Sequence, residues 1–333
     1  MGNLWFLYES IHSASCNLKT RIPSERKGRC PGCSSQEIRC LPGIGKPFDF
    51  RAHSLVFSQK EYRIFRCCSC GLVFKDSILS EEFFELLYEN VDFSNWSTYR
   101  LYPTEKPVLQ YLNSLPRQSK VLDFGCSSGR LLEQANPRIE KWGFEVNKSA
   151  ANEALNKGIK IVWDLVDLKS MQQTFNAVLL MDVFEHLANP TALLKDMSGL
   201  LKPGGMLVIS TGNADCRACQ TDIPNFWYFR SIQHLCMITK QYAETFATQT
   251  NLKISGWHES CHYDIAFSNR IAQHLRQIIY RVRYLHPQST LGFVLDRLPI
   301  LRKTGTWKIP PPYNASRDHA VVFFEKQMSC CLE

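Results

Sequence analysis

The chain has 333 residues, 44% of them hydrophobic and 21% charged, with 39 Lys and Arg against 31 Asp and Glu for a net charge of +8. That length is comfortable for two domains, and the balance excludes a disordered chain, a collagen-like repeat and a disulfide miniprotein. No stretch approaches the ~18 uninterrupted apolar residues of a membrane span, and Met1 to Leu18 holds no Lys or Arg to open a secretory signal. Phe6 stands where a myristoylation signal carries Ser or Thr, so the expectation is a cytoplasmic protein. The moderate positive charge suits an acidic small molecule, RNA or an anionic surface without choosing among them.

Fourteen cysteines in a chain with no expected export signal read as free thiols, available for metal or packing. After a tail over residues 1–25, two C-x2-C pairs stand out, Cys30/Cys33 around Pro31-Gly32 and Cys67/Cys70 ahead of Gly71. Tetrahedral zinc needs four soft ligands at ~2.3 Å, and each such tight loop delivers two thiolates. Residues 26–80 are therefore read as a zinc-ribbon-like module with Cys30, Cys33, Cys67 and Cys70 as ligands and short strands at Tyr62–Arg66 and Leu72–Phe74. With few aliphatics, such a segment needs a metal staple to fold. The competing reading is four buried or oxidised thiols. Cys68 is too close to Cys70 to replace Cys67, and Cys40 and His53 are read as bystanders. Residues 81–118 are read as a helical and aromatic linker carrying Tyr88, Trp96, Tyr99 and Tyr102, for which ordinary interdomain packing competes with a lid.

From residue 119 short apolar runs alternate with amphipathic segments, the pattern of a mostly parallel sheet with helices on both faces. Strands are expected at Val121–Phe124, Trp142–Glu145, Ile159–Trp163, Phe175–Met181, Met206–Ser210, Leu252–Trp257 and Ala320–Glu325. Helices are expected from Ser128 to Ala135, from Lys148 to Lys157, up to about Leu201, and from a Thr239 cap to about Thr250. The fold class is thus α/β, a Rossmann-like seven-stranded sheet over core residues 119–262, with a helical insertion at 263–318 and the last strand in 319–333. A further pair, Cys216/Cys219, has no partner pair nearby and is read as coincidence.

The strand ends carry the chemistry. At the first βα turn, Asp123 precedes Gly125, Cys126, Ser127, Ser128 and Gly129. Glycines there let backbone approach a ligand closely, but an acid ahead of them repels a pyrophosphate. It suits a cationic, phosphate-free nucleoside, and S-adenosylmethionine, with its ammonium and sulfonium, fits. Glu145 ends the second strand, where a carboxylate accepts both ribose hydroxyls. Asp164, beside Trp163, stands where the adenine amino group would lie, although a strand-terminal Asp is commonly a helix cap.

The stretches Val121–Gly129, Gly143–Glu145, Met181–Leu187 and Leu201–Ser210 resemble the core of class I S-adenosylmethionine-dependent methyltransferases. With a four-cysteine module ahead of it, the chain is similar to the zinc-containing sugar methyltransferases of antibiotic and surface-polysaccharide pathways. The resemblance implies cofactor contacts at Asp123, Gly125, Cys126, Gly129, Glu145 and Asp164, with Asp182 toward the methionine end. Ser127 replaces the middle glycine of the family turn, and a serine fits there if its φ is negative.

A methyl on a sulfonium is already activated, so the protein aligns the acceptor and removes a proton. His234, in an aromatic loop after the fifth strand, and His186, just past the fourth, are the candidate bases; a structural histidine is the alternative for each. Glu185 could orient a base or, as in some quinone-type methyltransferases, join His186 in a divalent-metal site. The expected acceptor is a small molecule, a sugar or glycan, methylated on oxygen or carbon. An RNA base methyltransferase gripping nucleic acid through the zinc module is the alternative, but Cys30 to Gly71 is not densely basic and the family's nucleic-acid signatures are missing at the fourth strand. An oxidoreductase lacks its G-x-G-x-x-G spacing.

In the insertion, Ile271, Leu275, Ile278, Val282 and Leu285 make one apolar stripe on a helix from about 265 to 285, with Arg270, Arg276, Arg281 and Arg283 beside it. A cover on the core, a homodimer seam and a helix at an anionic membrane surface compete, the first two ahead. Pro310–Tyr313 lies far from the fourth strand and is read as a loop.

Overall fold

The computed structural model describes residues 28–46, 50–52, 55–57, 61–76, 101–286, 288–298, 310–311, 313 and 315–328. The expected tail, His53, Tyr88, Trp96 and Tyr99 lie outside them.

The N-terminal third supplies five short strands, β1 (Ile38–Cys40), β2 (Phe50–Ala52), β3 (Leu55–Phe57), β4 (Ile64–Cys67) and β5 (Val73–Lys75). The core supplies β6 (Lys120–Phe124), β7 (Glu140–Phe144), β8 (Lys160–Val162), β9 (Phe175–Met181), β10 (Leu201–Gly212), β11 (Cys236–Met237), β12 (Leu252–Ser260) and β13 (His319–Lys326). Seven of these form one sheet in the order β12-β13-β10-β9-β6-β7-β8. Only β13 runs against its neighbours, pairing antiparallel with both β10 and β12. The expected fold class is the observed one.

Apolar runs such as Phe175–Met181 become central strands because both faces of a parallel sheet are covered. Successive side chains alternate: Leu122, Val178, Ile209 and Phe324 enter one core cluster, and Val121, Ala177, Val208 and Val321 the other. Strand order reverses beside β6, which pairs with β7 on one side and β9 on the other. A ligand cleft forms beyond the carboxyl ends of the strands at such a reversal. Asn147 and Thr239 cap the helices Lys148–Asn156 and Lys240–Gln249 through side-chain oxygens that accept from Ala150 N–H and Tyr242 N–H.

The second sheet, β1-β4-β5-β11, is completed by a strand from the core: β11 pairs antiparallel with β5, Cys236 opposite Phe74. Tyr62 donates to the Pro224 carbonyl at 2.8 Å and Lys75 Nζ to the Ser231 carbonyl at 2.7 Å. Lys75 is fully buried, so burial holds its amine well below the ordinary lysine range. Gly71, at φ +80°, sits so close to the helix Lys240–Gln249 that a Cβ would meet Gln241 at 2.7 Å. Cys30, Cys67, Cys70 and Phe74 therefore pack in the same core cluster as Leu122, Phe184 and Tyr242.

The insertion differs from expectation. Its helix runs Phe267–Tyr280 and ends in a wider turn at Arg281–Leu285. The apolar stripe does not cover the core, for Ile271, Leu275 and Ile278 are 48–56% exposed. Polar anchors on the other face set this rotation: Tyr280 donates to Asp222 Oδ2 at 2.8 Å and Gln277 to the Pro311 carbonyl at 2.7 Å. Pro310, Pro311 and Tyr313 lie in irregular chain against this helix, as the loop reading expects. No helix among the described residues is long and apolar enough to cross a membrane.

Candidate active site

The turn after β6 is held by backbone geometry. Gly125 (φ +81°) and Gly129 (φ +74°) occupy the left-handed region, and a Cβ on them would meet Val183 Cγ2 at 2.7 Å and Ile159 Cδ1 at 2.2 Å. Ser127 is also left-handed, at φ +47°, so the condition that its φ be negative is not met. What holds it is a hydrogen bond: Ser127 N–H donates to Glu145 Oε2 at 2.9 Å, fixing the turn against the end of β7. Cys126 points inward, its thiol buried and pushed up in pKa by that burial; only its backbone lines the turn.

Asp123 is 3% exposed and its Oδ1 has no hydrogen-bond partner. Burial, with the charges of Glu105 and Glu145, raises its pKa to about 7, and Arg130 opposes the shift. Arg130 is itself ion-paired with the buried carboxylate of Glu105. Glu145 also accepts from Asn147 N–H at 2.8 Å, and burial raises its pKa. Asp164 is exposed and caps the helix Leu165–Ser170, accepting from Val166 N–H at 2.6 Å. Beside it Trp163 and Val166 are 54% and 75% exposed, an apolar wall at the ends of β7 and β8.

Across β9 and β10 lies an edge lined by histidines. The short helical turn Phe184–His186 follows β9, and the loop after β10 returns over it. Glu185 is buried, and both its oxygens are taken, Oε2 by Thr211 Oγ1 at 2.8 Å and Oε1 by the Tyr228 hydroxyl. His234 Nδ1 lies 2.7 Å from the Tyr228 carbonyl and His186 Nδ1 lies 3.1 Å from the Gln233 carbonyl. A carbonyl only accepts, so each ring places an N–H at Nδ1 and leaves Nε2 on its other side. Burial, with His186 and Lys75 nearby, pushes His234 well below the usual histidine range. Glu185, His186 and His234 bring ligand atoms within 4.8 Å of one another.

Sequence reasoning missed three residues here. His262, Asp318 and His319 reach this edge because β12 ends and β13 begins at it. Asp182, with φ +54°, turns its carboxylate toward both histidines, 3.9 Å from His262 Nδ1 and 4.0 Å from His319 Nε2. Burial, with Glu185, raises Asp182 to about 7, while His319 opposes. Burial drives His262 down to about 3. His319 would fall likewise, but its hydrogen bond to Asp318, with the charges of Asp318 and Asp182, lifts it above the ordinary value. Tyr102, the described residue of the aromatic linker reading, stacks on His262 with centroids 4.9 Å apart.

On the far side of the aromatic loop, Cys30 Sγ and Cys70 Sγ are 3.6 Å apart and Cys33 Sγ and Cys67 Sγ 3.5 Å, all four within 4.8 Å. Gly32 N–H donates to Cys30 Sγ at 3.3 Å and Cys70 N–H to Cys67 Sγ at 3.4 Å. Backbone donors to sulfur stabilise thiolates; the shared hydrogen bond between Cys30 and Cys70 lowers the first and, with burial, raises the second, while burial raises Cys33. This donor set fits a tetrahedral soft-ligand ion. Cys40 and Cys68 are exposed and outside the group, while Cys216 and Cys219 are buried together with no further ligand beside them among the described residues.

A family model described as a methyltransferase domain matches residues 82–255, just over half of the chain. A ubiquinone biosynthesis O-methyltransferase from Xanthomonas axonopodis pv. citri is 34% identical over 116 residues, 32% of this chain and 48% of that relative. One of the same name from Parvibaculum lavamentivorans is 33% identical over 107 residues, 30% and 42% of the two chains. The chain thus spans about half the length, or less, of the curated relatives it matches. Among solved structures, a SAM dependent methyltransferase from Archaeoglobus fulgidus aligns with a TM-score of 0.43 at 14% identity, covering 66% of this chain and 90% of that one.

Proposed function

Because the chain belongs to the methyltransferase-domain family, we propose that it transfers the methyl group of S-adenosylmethionine to a small-molecule acceptor. When bound, the cofactor supplies a methyl already activated on sulfonium. The observation that carries its binding is Asp123, a buried carboxylate with an unpartnered oxygen at a turn where Gly125 and Gly129 leave no room for side chains. A cationic ammonium would satisfy that oxygen, and a pyrophosphate would be repelled. Glu145 would take the ribose hydroxyls on the remaining lone pairs of its two oxygens while keeping its backbone donors. Trp163 and Val166 would flank the adenine, and Asp164, whose Oδ1 caps the helix, would meet its amino group.

His234 is the proposed base. Its Nδ1–H is anchored on the Tyr228 carbonyl, and Glu185 fixes Tyr228 through the phenol, so Glu185 positions the base. Burial keeps the ring neutral, the form that takes a proton. His234 Nε2 would take the acceptor's hydroxyl proton as that oxygen receives the methyl, with the sulfur leaving as a neutral thioether. Oxygen as the receiving atom rests on the relatives' names; a sugar or glycan as the acceptor rests on the pairing of a four-cysteine module with this core. We assign zinc to Cys30, Cys33, Cys67 and Cys70, supported by the converging sulfurs and their two N–H donors. Calorimetry with S-adenosylmethionine tests the cofactor reading: binding that survives Asp123→Asn undiminished overturns it. A His234→Ala variant with full turnover moves the base to His186.

A further inference from the structure

We propose that Asp182, His262 and His319 form a binding site for a divalent transition-metal ion, distinct from the four cysteines. The three residues come from the end of β9, the turn after β12 and the first position of β13. Asp182 Oδ1, His262 Nδ1 and His319 Nε2 are each buried without a hydrogen-bond partner. They face one another, and the ligand atoms of the three side chains lie within 4.8 Å. Contacts of 3.9 and 4.0 Å are too long for hydrogen bonds. They fall within the span of two ligands each ~2.1 Å from a shared ion.

The surroundings orient the ligands. Asp318, fully buried, accepts from His319 Nδ1 at 3.0 Å, which aims the Nε2 lone pair at Asp182. Its carboxylate is held in turn by His262 N–H and Trp227 Nε1–H, both at 3.1 Å. A carboxylate behind a ligating imidazole fixes its tautomer and raises its basicity. Tyr102 stacks on His262, and the Tyr228 ring stands edge-on to His319 with centroids 5.0 Å apart. The left-handed backbone of Asp182, unfavourable for a non-glycine residue, is kept where it delivers the carboxylate. Two imidazoles and one carboxylate suit manganese, iron, cobalt or zinc better than calcium, and leave positions for further oxygen ligands. That an acceptor oxygen takes one of those positions rests on the methyl-transfer reading; ion binding does not.

The test is a Mn²⁺ titration of the full, zinc-loaded chain followed by electron paramagnetic resonance, with S-adenosylmethionine calorimetry on the same samples so that failure of either reading shows separately. One bound Mn²⁺ per chain is expected, with affinity falling at least about tenfold in His262→Gln and holding in His186→Gln. Equal affinity in His262→Gln, or loss in His186→Gln alone, overturns the site, the latter in favour of the Glu185, His186 and His234 group. Anomalous diffraction from a Mn²⁺-soaked crystal of the unmodified protein decides without any variant: a peak between the three side chains supports the site, and none there refutes it.

Discussion

At the end of β6, the proposed cofactor turn draws Asp123, Gly125 and Gly129 from seven consecutive residues, 123–129. At the ends of β9 and β10, the histidine edge draws its residues from four stretches, 182–186, 228–234, 262 and 318–319. The turn is specified by backbone sterics: two left-handed glycines with no space for a Cβ. The edge is specified by hydrogen bonds between distant side chains, Tyr228 to Glu185 and Trp227 to Asp318. A backbone-built site should respond to substitution in an all-or-none way, whereas a network should lose function by degrees.

The sharpest way to break this contrast is Gly129→Val. Its left-handed φ alone costs roughly 1–3 kcal/mol, and the side chain must also displace Ile159, 2.2 Å from the new Cβ. We expect a lowered melting temperature and complete loss of S-adenosylmethionine binding; a stable variant that still binds would show the turn to be less constrained. His234→Ala should lower kcat by ~10²–10⁴-fold with cofactor affinity unchanged, read by single-turnover kinetics beside calorimetry. Asp123→Asn, which keeps the shape and removes the charge, should weaken the cofactor by about 10–100-fold.

The smallest effect is the pH dependence. With Asp123 raised to about 7 by burial, Glu105 and Glu145, the free turn is protonated below neutrality. Cofactor affinity should rise as pH climbs through that value and flatten in Asp123→Asn. For folding the sign is opposite. The folded state holds this proton more tightly than the unfolded chain, whose value is near 3.8. Its contribution to stability therefore falls as pH rises between those two values. An affinity that is flat from pH 5.5 to 8 in the unmodified protein would contradict the electrostatic account of the turn.

The same contrast explains what could be read in advance. The seven main strands and the glycine turn after β6 were legible because apolar runs bounded by turns, and an acid followed by glycines, are local signals. β11 was not: two residues, Cys236 and Met237, carry no periodicity and become a strand only because β5 offers an edge. His262, Asp318 and His319 were missed although an Asp-His pair directly precedes an apolar strand. The signal would have been topological, since an antiparallel last strand starts where the parallel ones end. The insertion stripe was seen correctly as amphipathic, but periodicity does not say which face the rest of the molecule covers. Tyr280 and Gln277 decided that. Ser127 shows the same limit at one residue: its positive φ is stabilised by a carboxylate 18 positions along the chain.

The central claim is that a carboxylate-lined turn at the head of a parallel sheet selects a cationic, phosphate-free nucleoside. Titrating the purified full chain with S-adenosylmethionine and, separately, with NADH in a calorimeter at pH 8 tests it most directly. The account predicts saturable binding of one S-adenosylmethionine per chain and no heat from the dinucleotide. Binding of NADH, with none of the sulfonium, would contradict it.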